Sequence, residues 1–419
     1  MTTLSPARTR LALLALALGG FGIGTTEFVA MGLLPDIARD LLPGLYAQDP
    51  DAAIAKAGIV ISAYAIGVVI GAPTIAAVAA RFPRKALLTV LAVAFTLGTV
   101  ASALAPTFET VVAARVLAGL PHGAYFGVAA LAAADLMGPG KRGRAVAFVL
   151  SGLTIANVVG VPVITWVGQQ SGWRVAYLGV AAIFALTTLA IALLVPRAPG
   201  DPHATVRREL SAFTRPAVWF ALATGALGFG GFFAVYSYVS PLATEVTGTS
   251  ESFVPLALIV LGLGMTVGNL VGGRMADDGA MRAVFRLFGA FAGSMLILAL
   301  ASGTVPGLLL GLFLVGATAS AISPAIQTRL MDVAGDSQTI AAAVNHSALN
   351  LGNSLGAFLG GAVIAAGWGY LAPTWVGLAL CVPGVLAAVA GWAVTRVPAD
   401  DAVASLAADD DRVAARPGS

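Results

Sequence analysis

The chain has 419 residues, 58% of them hydrophobic and only 10% charged, with a mean hydropathy of +0.91; soluble domains carry roughly 25% charge, so this composition predicts an integral membrane protein and leaves no room for a large soluble domain. The formal net charge of +3 comes from basic residues scattered in small groups, which speaks against a nucleic-acid surface. The lone cysteine, Cys381, permits neither an internal disulfide nor a cysteine metal cluster.

The first apolar run, Leu11 to Pro35, is long enough to span a bilayer, since about 20 residues at about 1.5 Å each cover about 30 Å of hydrocarbon. It also exceeds the core of a cleaved signal peptide. It carries Glu27, a carboxylate where hydrocarbon is expected. A charge there costs on the order of 3 kcal/mol or more, so Glu27 is expected to face a bundle interior or a wet cavity and to mark a proton-linked transporter. Further apolar segments follow at 56–80, 86–105, 108–135, 145–170 and 174–195. The stretch 196–216 is rich in charge and proline and reads as a cytoplasmic linker. Six more segments lie at 217–241, 253–275, 284–302, 305–331, 338–366 and 371–394. The predicted fold is therefore all-α, with twelve transmembrane helices in two pseudo-symmetric six-helix bundles around a central cavity. The bundles are expected at 1–195 and 217–396, with 397–419 a disordered cytoplasmic tail.

With a cytoplasmic N-terminus, nineteen of the 23 Lys and Arg fall on the cytoplasmic side, Arg39, Lys56 and Arg174 fall outside, and Arg115 stays within a span. A bias of this size in short loops predicts a multi-pass protein of the cell inner membrane with both termini in the cytoplasm.

The halves repeat. Ser151 to Gly160, SGLTIANVVG, aligns with Ser347 to Gly356, SALNLGNSLG, placing Asn157 on Asn353; Gly119, Asp135 and Gly138 fall on Gly316, Asp332 and Gly335 at the same offset of 196 or 197 residues. A six-helix unit repeated in one orientation predicts a substrate near the midplane between the repeats. Gly264, Gly268 and Gly272 form overlapping G-x-x-x-G steps, a helix-packing pattern. Gly352 to Gly356 matches the hydrolase elbow G-x-S-x-G, but inside a membrane helix it lacks the strand, turn and paired base that elbow needs.

Three stretches, GFGIGTTEFVAMGLLPDIARDL at 21–42, ARVLAGLPHGAYFGV at 114–128 and GLTIANVVGVPVITWVG at 152–168, resemble the major facilitator superfamily, within it the bacterial drug:proton antiporters that include arabinose-efflux and chloramphenicol-resistance permeases. The superfamily's loop signature after the second span reads AARFPRK at 79–85, with Ala80 for the aspartate and Pro83 for a glycine. The resemblance implies a gating role for Arg81, Arg84 and Lys85, and in the second half for Asp277. The fifth-span signature, normally an adjacent glycine and proline, reads Gly160-Val161-Pro162.

Three residues are candidates for proton coupling. Glu27 and Arg115 lie at similar depth, and an arginine that cannot shed its proton needs a partner, so Glu27 is expected to pair with it and be tuned by it. Arg115 followed by Gly119 also resembles the family's proton-transfer motif. His122, seven residues on, is the other titratable candidate, with an ordinary pKa of about 6.5; a neutral imidazole bonded to a neighbouring helix is the alternative. For the substrate cavity, Asn157, Phe233, Tyr236, His346, Asn350 and Asn353 are the candidates. His346, Asn350 and Asn353 share one helix face, and Phe233 with Tyr236 offers an apolar wall. Helix packing competes at each of these positions.

The expected function is export of a small organic molecule, a drug or hydrophobic metabolite, in exchange for protons, by a monomer that works in the lipid bilayer. The expected drive is the proton gradient, with no cofactor, metal or nucleic acid. A sugar or nucleoside exporter is the first alternative. A membrane sensor or enzyme that transports nothing is a remote one, since no catalytic set is evident.

Overall fold

A computed structural model describes residues 5–79, 82–138, 142–197, 211–334 and 338–396. Among them, twelve helices are long and apolar enough to cross a membrane. They are span 1 Pro6–Gly32, span 2 Pro50–Ile75, span 3 Arg84–Leu104, span 4 Phe108–Met137, span 5 Ala147–Ser171 and span 6 Trp173–Leu194, then span 7 Pro216–Tyr236, span 8 Glu251–Asp277, span 9 Ala280–Ala301, span 10 Val305–Ala334, span 11 Val344–Ala365 and span 12 Ala372–Thr395. Each matches one predicted segment. Large apolar side chains such as Leu97, Leu193, Leu300 and Leu386 stand exposed on these helices, as a hydrocarbon solvent allows. Most of the predicted linker and all of the tail at 397–419 lie outside the described residues; within the linker, Ser211–Thr214 forms a 3-10 turn.

Glycine decides how closely the helices pack. Spans 2 and 4 meet along a seam where a Cβ on Gly67 would strike the Val116 carbonyl, one on Gly71 the Leu120 carbonyl and one on Gly119 the Tyr64 carbonyl. The seam recurs between spans 8 and 10, with Gly264 against Phe313, Gly268 against Ala317 and Gly316 against Leu261. Every member sits 197 residues after its counterpart. The G-x-x-x-G steps are thus packing surfaces, as expected: backbones approach because no side chain intervenes.

Four elements differ from the sequence expectation. Span 1 stops at Gly32, and after Leu33 the chain continues as a separate helix, Leu34–Leu41. Span 7 ends at Tyr236 rather than near residue 241; one turn at Val239–Pro241 and a π turn at Leu242–Val246 follow. Span 4 is not one continuous helix. It divides into Phe108–Gly119 and His122–Met137 around Leu120-Pro121, because proline has no N–H to give and its ring clashes with the preceding turn. Span 5 contains a π turn, Ala156–Gly160, just before Pro162.

At the end that carries the Leu34–Leu41 helix, polar contacts join the two halves. The Arg39 guanidinium lies 3.6 Å from the Glu251 carboxylate, Gln169 Nε2 donates to the Glu251 carbonyl at 2.8 Å, and the Tyr370 hydroxyl donates to Asp51 at 2.7 Å.

Candidate coupling and substrate site

Glu27 is 5% exposed, on span 1, and its Oε1 accepts a hydrogen bond from Asn353 Nδ2 of span 11 at 3.4 Å. The carboxylate therefore faces the second bundle. The expected ion pair with Arg115 is not formed: none of the ion pairs among the described residues joins them. Arg115, fully buried, donates instead to the neighbouring residue, from Nη1 to Thr26 Oγ1 at 3.2 Å and from Nη2 to the Thr26 carbonyl at 3.0 Å. Successive residues on an α helix point about 100° apart. Thr26 holds the guanidinium, and Glu27, one residue on, bonds span 11 instead. The guanidinium also lies over the Tyr64 ring, 4.3 Å from its centre, with the Tyr177 ring at 5.4 Å. Two aromatic faces and two hydrogen bonds hold the buried cation, each face contributing about 0.5–2 kcal/mol.

Tyr64 is the residue that the sequence reading missed. It is buried on span 2, and its hydroxyl is hydrogen-bonded to His122 Nδ1 at 3.2 Å. His122 lies just past the break in span 4, and Tyr64 bridges it to Arg115 seven residues earlier. The His122 ring in turn lies 6.1 Å from the ring of His346 on span 11, and His346 stacks on Phe126 at 5.3 Å, interplanar angle 7°. Its signal in the sequence is spacing: Tyr64 precedes Gly67 and Gly71, the glycines that draw span 2 onto span 4.

The cavity candidates converge on the contact between the bundles. Phe233 and Tyr236 are buried and stack with Phe28 of span 1, at 6.1 and 5.2 Å, so they form an aromatic wall between the halves and not a lipid-facing surface. Tyr236 donates to Asn157 Oδ1 at 3.4 Å, and Asn157 Nδ2, in the wide turn of span 5, donates to the Leu153 carbonyl of the helix before it. Asn350 Nδ2 donates to the His346 carbonyl one turn back. Both amide oxygens, Asn350 Oδ1 and Asn353 Oδ1, are buried without a partner. Asn157 and Asn353, aligned by the repeat, have different surroundings: one bonds an aromatic hydroxyl, the other the intramembrane carboxylate.

Of the loop-motif residues, Arg84 pairs with Asp135 at the end of span 4 and donates to the Leu131 carbonyl. That contact lies within the first bundle. Lys85 is half-buried, and its carbonyl accepts from Thr89. Asp277 is exposed and in no ion pair among the described residues, and Arg81 lies outside the described residues.

A family model described as the Major Facilitator Superfamily matches residues 16–339 and 241–417. The inner membrane transport protein YdhP of Escherichia coli K12 is 39% identical over 365 residues, covering 85% of this chain and 90% of that one. The chloramphenicol resistance protein of Streptomyces lividans is 32% identical over 389 residues, covering 91% and 94%. Among solved structures, a D-xylose-proton symporter superposes with a TM-score of 0.71 at 19% identity, over 91% of this chain and 97% of the symporter; that likeness concerns the fold. With the twelve spans and the repeated seam, these matches make this chain a transporter of the major facilitator superfamily.

Proposed function

We propose that the protein is a proton-coupled secondary exporter of a small organic molecule, working as a monomer by alternating access. The observation that carries this reading is Glu27: a carboxyl group inside a membrane span, in no ion pair with the nearby Arg115, whose hydrogen bond is to the opposite bundle. Gain or loss of a proton there changes a contact between the moving halves, which is what coupling requires. One charge crossing 100 mV supplies about 2.3 kcal/mol, enough for a roughly 50-fold gradient, so one proton per cycle suffices and no other cofactor is invoked. The distribution of basic residues supports cytoplasmic termini, and the inner-membrane relative supports that membrane as the location. The chloramphenicol resistance protein and the aromatic wall of Phe28, Phe233 and Tyr236 support a drug-like or hydrophobic substrate.

A second reading, a sugar or nucleoside exporter, is favoured by one feature: the amide oxygens of Asn350 and Asn353, unpartnered among the described residues, are free to accept hydrogen bonds from hydroxyl groups of a substrate. Proteoliposomes with an imposed pH gradient separate the two. Chloramphenicol, L-arabinose and uridine would be supplied in turn, comparing the wild type with Glu27→Gln. Gradient-driven movement of chloramphenicol, lost in Glu27→Gln, is expected. Movement of arabinose or uridine alone selects the second reading, and accumulation that ignores the pH gradient overturns proton coupling.

A further inference from the structure

We propose that Tyr64 is the positioning residue of the coupling machinery: its ring seats the Arg115 guanidinium against span 1 while its hydroxyl holds His122 against His346, so that rearrangement at Glu27 reaches the second bundle along one buried line. The proposal rests on the proton-coupled reading above and extends it to a residue and a route.

The geometry is continuous. Glu27 and Thr26 are neighbours on span 1, Arg115 donates twice to Thr26, the Arg115 guanidinium lies on the Tyr64 ring at 4.3 Å, and the Tyr64 hydroxyl meets His122 Nδ1 at 3.2 Å. The last step crosses to the second bundle, where the His122 and His346 rings are 6.1 Å apart. A hydroxyl held on Nδ1 fixes which ring nitrogen is left for other partners. A shift of the guanidinium therefore moves the tyrosine, and the tyrosine resets the histidine that touches the other bundle.

The repeat supplies a control within the same molecule. Between spans 8 and 10 the same glycine seam is built with Leu261 at the place of Tyr64, Leu312 at that of Arg115 and Ala319 at that of His122, each 197 residues on. Two membrane helices can thus be held at this distance by glycines and aliphatic side chains alone. Stability does not call for a buried cation, a phenol and an imidazole in the first half, and each of them costs desolvation. Their presence on one seam and absence from its copy point to a task that only the first bundle performs.

The titratable and charged groups facing this line are Glu27 from span 1, Tyr177 from span 6 and His346 from span 11, besides Arg115 and His122 of span 4. The test reads conformation without a substrate. Spin labels would be placed at Glu109→Cys and Gly303→Cys, two exposed positions in opposite bundles, after Cys381→Ala. Double electron–electron resonance in nanodiscs would follow the distance from about pH 5 to about pH 9, on either side of an ordinary imidazole. The wild type is expected to shift between distance populations with pH, and Tyr64→Phe, which keeps the ring under Arg115, to move the midpoint by about one pH unit or more, or to abolish the shift. A Tyr64→Phe protein that titrates like the wild type overturns the proposal and leaves the proton-coupled reading intact. A wild type that ignores pH overturns both. Tyr64→Leu/Arg115→Leu, which copies two of the three second-half residues, is expected to fold and give no response. If Tyr64→Phe does not fold, this double variant decides, and a wild-type response from it overturns the proposal.

Discussion

Replacing Glu27 by glutamine removes a titratable carboxyl group and little else. The glutamine Oε1 can still accept from Asn353 Nδ2, a bond that at 3.4 Å is long even in the wild type. Arg115 keeps both bonds to Thr26 and its place over Tyr64, because its hydrogen bonds do not involve Glu27. The change in stability is therefore expected to stay within about 1 kcal/mol, the worth of one net hydrogen bond. Had the carboxylate been the partner of a buried guanidinium, its removal would cost about 3–5 kcal/mol. Unfolding of the purified variant in nanodiscs, followed through its intrinsic tryptophan fluorescence, separates the two cases. A loss of more than about 3 kcal/mol would refute the separation of Glu27 from Arg115 described above. A protein of near wild-type stability that no longer concentrates substrate in response to a pH gradient is the expected result.

Gly119→Ala pushes a Cβ into the Tyr64 carbonyl, so it is expected to cost about 1–3 kcal/mol of stability; an unchanged unfolding midpoint would contradict the seam. Burial, then the charge of Glu251, hold the Asp36 carboxyl above its ordinary range, with Arg39 opposing both. A raised carboxyl pKa stabilises the folded protein in acid, and that contribution fades as pH rises through the raised value. Asp36→Asn should accordingly flatten the mildly acid part of the pH–stability profile, and a profile that keeps the wild-type slope would count against it. Single cysteines near Arg208 should react with impermeant reagents only from inside and those near Gln48 only from outside; outside labelling near Arg208 would invert the topology. Asn353→Ala should impair pH-driven transport more than Asn157→Ala, since Asn353 bonds Glu27 and Asn157 bonds Tyr236, and equal effects would argue that both asparagines only pack helices.

The spans were legible because hydrocarbon imposes length and composition on any helix that crosses it, and Glu27 was legible because a carboxylate in such a run is costly. Its partner was not. Depth along a helix follows from counting residues, but direction around the axis depends on neighbours, and one step along the chain separates Thr26, which holds Arg115, from Glu27, which does not. Tyr64 escaped notice because a tyrosine in an apolar run reads as core, and only contact with Arg115 and His122 distinguishes it. The repeat placed Asn157 and Asn353 together, yet their partners differ because Glu27 stands opposite only one of them. The breaks at Pro121 and before Pro162 went unread, because an apolar run of uniform hydropathy conceals them.

A π turn holds one residue more than the α-helical turns around it. In span 5 this sets everything after Gly160 about 100° out of phase with an unbroken α helix. Past the turn, Val163 and Trp166 project outward while Thr165 and Gly168 are buried. Had the turn been α-helical, that half would face another way, with the exposed pair turned toward the protein and the buried pair toward lipid. The wide turn thus sets which face of the second half of span 5 meets the protein and which meets lipid.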